Sequence, residues 1–160
     1  MRLALIAIGR LKAGPERDLF ERYFKRIGDI ARPLGFKGVS LTELDEGRAA
    51  RAADRKAEEG LTILAAVPKG ARLILLDERG ATLTSAQFSA DMASARDASV
   101  SAYALVIGGA DGLAASLRDK SDKIVSFGAM TWPHQLARVM AAEQVYRALS
   151  ILSGHPYHRA

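Results

Sequence analysis

The chain contains no cysteine. Disulfides, thiolate zinc sites, iron–sulfur clusters and thiol catalysis are thereby excluded, and a reducing compartment fits the composition. Histidine is scarce, with His134, His155 and His158 the only three. The pair His155-x-x-His158 lacks a third ligand and is interleaved by Tyr157 and Arg159, so no metal is expected. Long hydrophobic runs are missing as well. Leu3 to Ile8 is far too short to span a bilayer and runs directly into Gly9, Arg10 and Lys12. Without a well-placed small-residue cleavage site it reads as a buried strand, not a signal peptide, and a cytoplasmic protein with no membrane partner is expected. No internal repeat or low-complexity linker interrupts the sequence.

What is present is the balance of an ordinary globular domain. The 160 residues are 49% hydrophobic and 26% charged, which points to one domain over 1–160. Lys and Arg number 23 against 18 Asp and Glu, a formal net charge of +5. That excess is compatible with an RNA or phosphate partner, although many proteins without such a role carry it.

Strand and helix patterns alternate along the chain. Leu3–Ile8 is a continuous apolar run of the kind covered on both faces of a parallel sheet. Gly14-Pro15 opens a helix whose apolar positions are Phe20, Tyr23, Phe24, Ile27 and Ala31, stopped by Pro33 and Gly35. Val39–Leu44 is a weaker strand, followed by a polar, mobile segment at 45–48 and a helix over 49–66 with Gly60 as its weak point. Leu73–Leu76 is a buried strand closed by Asp77–Gly80, and Ser85 starts a helix to about Arg96. Tyr103–Ile107 and Ile124–Phe127 are strands flanking a short helix over 113–120, and a last helix spans His134–Ser153. This order predicts an α/β fold with a mostly parallel sheet flanked by helices. Apolar residues spread around the whole last helix, from Leu136 and Val139 to Leu149 and Leu152. Such a helix needs a second burial partner, a further copy of the chain, unless the monomer buries it entirely.

Gly108-Gly109-Ala110-Asp111-Gly112 lies between a strand end and a helix start, where α/β proteins bind ligands. It matches neither the dinucleotide nor the P-loop fingerprint, and a tight turn without ligand is its plain alternative. Asp77 and Asp111 sit at strand ends as possible neighbours, but Asp111 is better read as the cap of the following helix. No Ser or Thr has a base partner at triad spacing.

The carboxyl-terminal quarter is more specific. It contains Thr131 with Pro133-His134, then Arg138, Glu143-Gln144, Tyr146-Arg147-Ala148 and Pro156-Tyr157-His158. With Leu75-Leu76-Asp77, Gly80 and the glycine loop upstream, these pieces resemble the SPOUT-class methyltransferases. Within that class they are similar to the bacterial branch that methylates N3 of a pseudouridine in 23S ribosomal RNA. Trp132 stands where an aliphatic residue is usual, and Phe127-Gly128 is looser than the common pattern. The resemblance implies a carboxyl-terminal trefoil knot, an exception to the rule that chains stay unknotted. It implies S-adenosyl-L-methionine bound at Leu76, Gly108 and the run Phe127, Gly128, Ala129, Met130, Thr131, Trp132. It also implies a homodimer that methylates pseudouridine 1915 of 23S rRNA within the assembled ribosome. Candidates for removing the N3 proton or stabilising the resulting anion are His134, Arg138, Tyr157, His158 and Arg159. The last helix packs near the cofactor loop, so the tail is expected to reach the methyl group, in its own chain or in the partner. A ribosome-binding factor without chemistry is disfavoured by the intact glycine loop and tail. A nucleotide or flavin module is disfavoured by the missing phosphate fingerprint.

Overall fold

The computed structural model describes residues 1–159. Five strands form one parallel sheet: β1 (Arg2–Ile8), β2 (Val39–Leu44), β3 (Arg72–Thr82), β4 (Ala102–Ile107) and β5 (Lys123–Ser126), in the order β2-β1-β4-β3-β5. Between and after them run α1 (Pro15–Ala31), α2 (Ala52–Ala66), α3 (Ser85–Asp97), α4 (Ala115–Arg118) and α5 (His134–Ser153).

The strand order dictates the layers. The connections β1 to β2 and β3 to β4 step one way across the sheet, whereas β2 to β3 and β4 to β5 step the other way. Right-handed crossovers then place α1 and α3 on one face and α2 and α4 on the opposite face. Side-chain alternation along the strands matches this division. Leu3, Leu5, Tyr103, Leu105 and Ile107 pack with Phe20 and Ile27 of α1 and Phe88 and Met92 of α3. Ala4, Ile6, Ala104, Val106 and Leu75 pack with Ile63 of α2 and Leu117 of α4. Both faces are covered, which is why β1 and β4 read as unbroken apolar runs.

Helix α5 joins the first layer. Its Val139, Val145 and Leu149 are buried in the core that α1 and α3 share, so the chain itself covers much of the circumference. Leu136 at 41% exposure is the large apolar residue of α5 left open. The buried guanidinium of Arg138, 1% exposed, fastens this helix to the sheet. It donates to Glu43 at 2.5 Å, to the carbonyl of Ile8 at 3.0 Å and to that of Gly9 at 2.9 Å.

Several boundaries differ from the sequence expectations. Strand β3 does not close at Asp77–Gly80 but resumes beyond it. Val125 registers with Leu76 and again with Ala81, so 77–80 arch out and the chain returns to the same β5 neighbour. At the return, a Cβ on Gly80 would lie 2.7 Å from the backbone of Ile124 and Val125, a distance only glycine tolerates. Helix α2 begins at Ala52, not at 49, and 45–51 is held rather than free. Glu59 accepts from the Gly47 amide at 2.9 Å, and Glu58 from that of Arg48 at 3.1 Å. At Gly60 a Cβ would lie 3.2 Å from that of Ala114, where α2 meets the loop before α4. The start of α3 is capped by Thr84, whose side chain and that of Gln87 form a reciprocal capping box. At the opposite end of the sheet, Asp91 accepts from Arg72, Tyr103 and Lys123, tying the starts of β3, β4 and β5 to α3.

Candidate active site

A cleft of about 540 Å³ opens at the carboxyl ends of β3, β4 and β5. Ligands of open α/β sheets bind at this edge, and the volume suits a small cofactor. The arch after β3, the glycine loop after β4 and the loop after β5 form its walls, with His134 and Ala137 of α5 at one side. Leu76, Gly108, Phe127, Gly128, Met130, Thr131 and Trp132 all border it. Ala129 is exposed and does not. Ile107, Leu113 and Val125 add apolar wall that the sequence analysis did not single out. As ends of buried strands or partners of the glycine loop, they read as core, and nothing in their residue type marks them as lining.

Three carboxylates at the rim have hydrogen-bond partners. Asp77 accepts from Arg118 at 2.6 Å and from the Arg79 amide at 3.0 Å. Glu78 accepts from the Thr131 hydroxyl at 3.2 Å, which joins the arch to the loop after β5. Asp111 does not cap α4, whose first turn has no side-chain cap; it receives two hydrogen bonds from Arg55 at 2.7 and 3.2 Å. That pairing, led by the hydrogen bond from Arg55, holds the Asp111 carboxyl below its ordinary value. It also anchors the glycine loop to α2. Gly109 is needed for the close approach of this loop to β1, since a Cβ there would sit 2.9 Å from Ile8. At Gly108, which also borders the cleft, a Cβ would meet the Leu113 side chain at 3.0 Å.

The five candidate catalytic side chains do not converge within one chain. His134 borders the cleft. Arg138, one turn on, is turned into the core toward Glu43, and burial pulls its guanidinium down from the ordinary value while Glu43 opposes the shift. The tail lies elsewhere. Gly154 adopts φ 68° and ends α5, and the chain folds back along the helix. The Tyr157 hydroxyl bonds to Glu143 at 2.9 Å and to the Tyr23 hydroxyl at 3.1 Å, and its ring meets Tyr146 edge-on at 4.7 Å. Burial, with these bonds, pushes the Tyr157 phenol up. His158 Nδ1 lies 3.4 Å from the Arg147 guanidinium, which in turn pairs with Glu143, and Arg159 is exposed. At a rise of about 1.5 Å per residue, Glu143 and Arg147 stand roughly 13 and 20 Å along α5 from His134. The tail therefore sits well away from its own chain's cleft, and the expected reach within one chain is not seen. Sequence spacing missed this because it says nothing of the direction in which a chain leaves a helix.

Among the described residues, no group of three or more His, Cys, Asp or Glu side chains is placed to hold a metal ion. Among them, too, no helix is long and apolar enough to cross a membrane.

Comparison with known proteins agrees with this architecture. The family model described as "Predicted SPOUT methyltransferase" matches residues 1–158. A protein of Rhodopseudomonas palustris (strain HaA2) named ribosomal RNA large subunit methyltransferase H is 56% identical over 160 residues, covering all of both chains. Proteins with the same name from Xanthobacter autotrophicus and a Bradyrhizobium species are each 56% identical over 160 residues, covering all of this chain and 100% and 99% of theirs. A cleft at the carboxyl edge of a parallel sheet, an arch that lets β5 pass against Gly80, and these full-length matches lead to one conclusion: the chain belongs to the SPOUT methyltransferases, whose fold is the trefoil knot.

Proposed function

We propose that this methyltransferase uses S-adenosyl-L-methionine to methylate N3 of pseudouridine 1915 in 23S rRNA on the assembled ribosome, as a cytoplasmic homodimer. The observation that carries the reading is the separation of cleft and tail. One chain supplies a cofactor-sized cleft and holds its own polar tail elsewhere, against Tyr23 and Glu143. Two copies arranged so that each tail meets the other's cleft would make two complete sites. Leu136 and Leu19, exposed by 41% and 37% on α5 and α1, are apolar surface available to such a contact. The relatives' name, ribosomal RNA large subunit methyltransferase, supports the class of substrate.

The cleft fits the cofactor. Leu76, Ile107, Leu113 and Val125 offer apolar wall for an adenine, and the glycine loop leaves backbone groups open to approach. Bound there, S-adenosyl-L-methionine supplies a methyl group already activated by its sulfonium. The protein's tasks are then orientation and proton removal. The loop after β5, braced by Thr131 on Glu78, fixes one wall. Arg138 acts as a positioning residue, holding the amino end of α5, and thereby His134, against β1 and β2. His134 and the partner's Tyr157, His158 and Arg159 take the N3 proton or stabilise the imide anion.

Two measurements test this. S-adenosyl-L-methionine should raise the melting temperature of the purified protein, and FMN and ATP should not. Labelled methyl should pass from the cofactor to ribosomes containing pseudouridine, and not to ribosomes prepared without it. Equal labelling of both, or none, would reject the assignment.

A further inference from the structure

The loop after β5 leaves two large apolar side chains in solvent at the mouth of the cleft. Met130 is 75% exposed and Trp132 43% exposed. Trp132 is the only tryptophan of the chain. It precedes Pro133, which holds the end of this loop in an extended conformation at the start of α5. Apolar surface of this kind, bordered by charge, marks a recognition site. The same cleft is bordered by Lys56 and Arg79, cations outside the rim's carboxylate pairs. An indole face beside a thioether and flanking cations is the surface that takes an unpaired nucleobase by stacking while the cations meet its phosphates. The backbone of the loop can serve the cofactor while the indole, 43% exposed, keeps surface open to solvent.

We infer that Trp132, backed by Met130, is a stacking shelf for an unpaired base of the RNA next to the methylated nucleotide. It is a specificity residue for the RNA rather than a cofactor contact. The inference rests on the proposed rRNA methylation and adds the surface that holds the substrate. A lone aromatic suits this task because every base has a π face, so the shelf orders a splayed strand whatever its identity.

The sole tryptophan makes the test direct. Fluorescence quenching by acrylamide should show Trp132 accessible in the free protein at micromolar concentration, and still accessible with saturating S-adenosyl-L-methionine. With ribosomes as substrate, Trp132→Leu should raise KM for ribosomes about five- to 150-fold. It should change KM for the cofactor at least tenfold less. Trp132→Phe, which keeps an aromatic face, should recover most of the loss. Indole shielded in the free protein would mean that a second copy covers it, and indole shielded by the cofactor alone would make it a cofactor contact; either overturns the inference. So would Trp132→Phe behaving like Trp132→Leu, or ribosome KM unchanged in both. Absence of methyl transfer by the unaltered protein would remove the proposed function and this inference together. Transfer with unchanged ribosome KM in the variants would remove this inference alone.

Discussion

Arg138 and Glu43, 95 residues apart in sequence, meet at 2.5 Å, and the same guanidinium holds the carbonyls of Ile8, the last residue of β1, and of Gly9 just beyond it. A planar fork serves three acceptors where an ammonium would serve them poorly. Arg138→Ala should lower the unfolding free energy by about 3–5 kcal/mol, because it strands a part-buried carboxylate and two carbonyls. Arg138→Lys should recover only part of this. Urea denaturation measures both, and an unchanged midpoint for the alanine variant would show that the cluster does not hold α5.

Gly80 and Gly28 should respond oppositely to alanine. At Gly80 the new Cβ would lie 2.7 Å from main-chain atoms of β5, which cannot yield without breaking the ladder. A loss of about 3 kcal/mol or more, or failure to fold, is expected. At Gly28, inside α1, nothing lies within 4 Å and helix propensity favours alanine. A gain of roughly 0.5–1 kcal/mol should follow. Thermal unfolding of the two variants side by side checks the contrast.

Asp91 gives the fold an acid-sensitive joint. Burial alone would raise its carboxyl, but hydrogen bonds from Lys123, Tyr103 and Arg72 outweigh burial and hold it below the ordinary value. The unfolded chain therefore takes up this proton at a higher pH than the folded one. The stabilisation is fully present above the ordinary aspartate value of about 3.9 and is lost as pH falls through the folded value. Asp91→Asn should cost about 2–4 kcal/mol at neutral pH and flatten the stability profile below pH 4. Chemical denaturation across that range would show it; parallel profiles for parent and variant would assign the acid sensitivity elsewhere.

Two positions on α5 separate folding from assembly. Val145 is 2% exposed within the chain, so Val145→Glu should unfold the monomer. Leu136, exposed by 41%, should tolerate Leu136→Glu without loss of secondary structure while weakening self-association. Light scattering with circular dichroism distinguishes them. A Leu136→Glu protein that is folded and still dimeric at the lowest concentrations would move the interface away from this helix end.

Much of this was legible in the sequence, and the rest was not for identifiable reasons. Parallel strands buried on both faces announced themselves as apolar runs at β1, β4 and the first half of β3. The second half of β3 stayed hidden because Asp77–Gly80 carries turn residues, and its return to β5 depends on a contact with Val125 far along the chain. The residues at the cleft came from the family resemblance and lie together except for Ala129. Arg138 looked like chemistry because it is charged; its partners are two carbonyls and a glutamate brought near only by the fold. Asp111 looked like a cap because it precedes a helix, and Arg55 of α2, distant in sequence, claims it instead.

Strand β1 lies between β2 and β4, so one of its edges has no neighbour until the chain has been made past Ile107. Strand β5 comes later still, and α5 covers the first layer only once residues 134–153 exist. During synthesis the amino-terminal two strands and α1 thus wait as a half-sheet with an open apolar edge, the state in which nascent chains are most prone to associate wrongly.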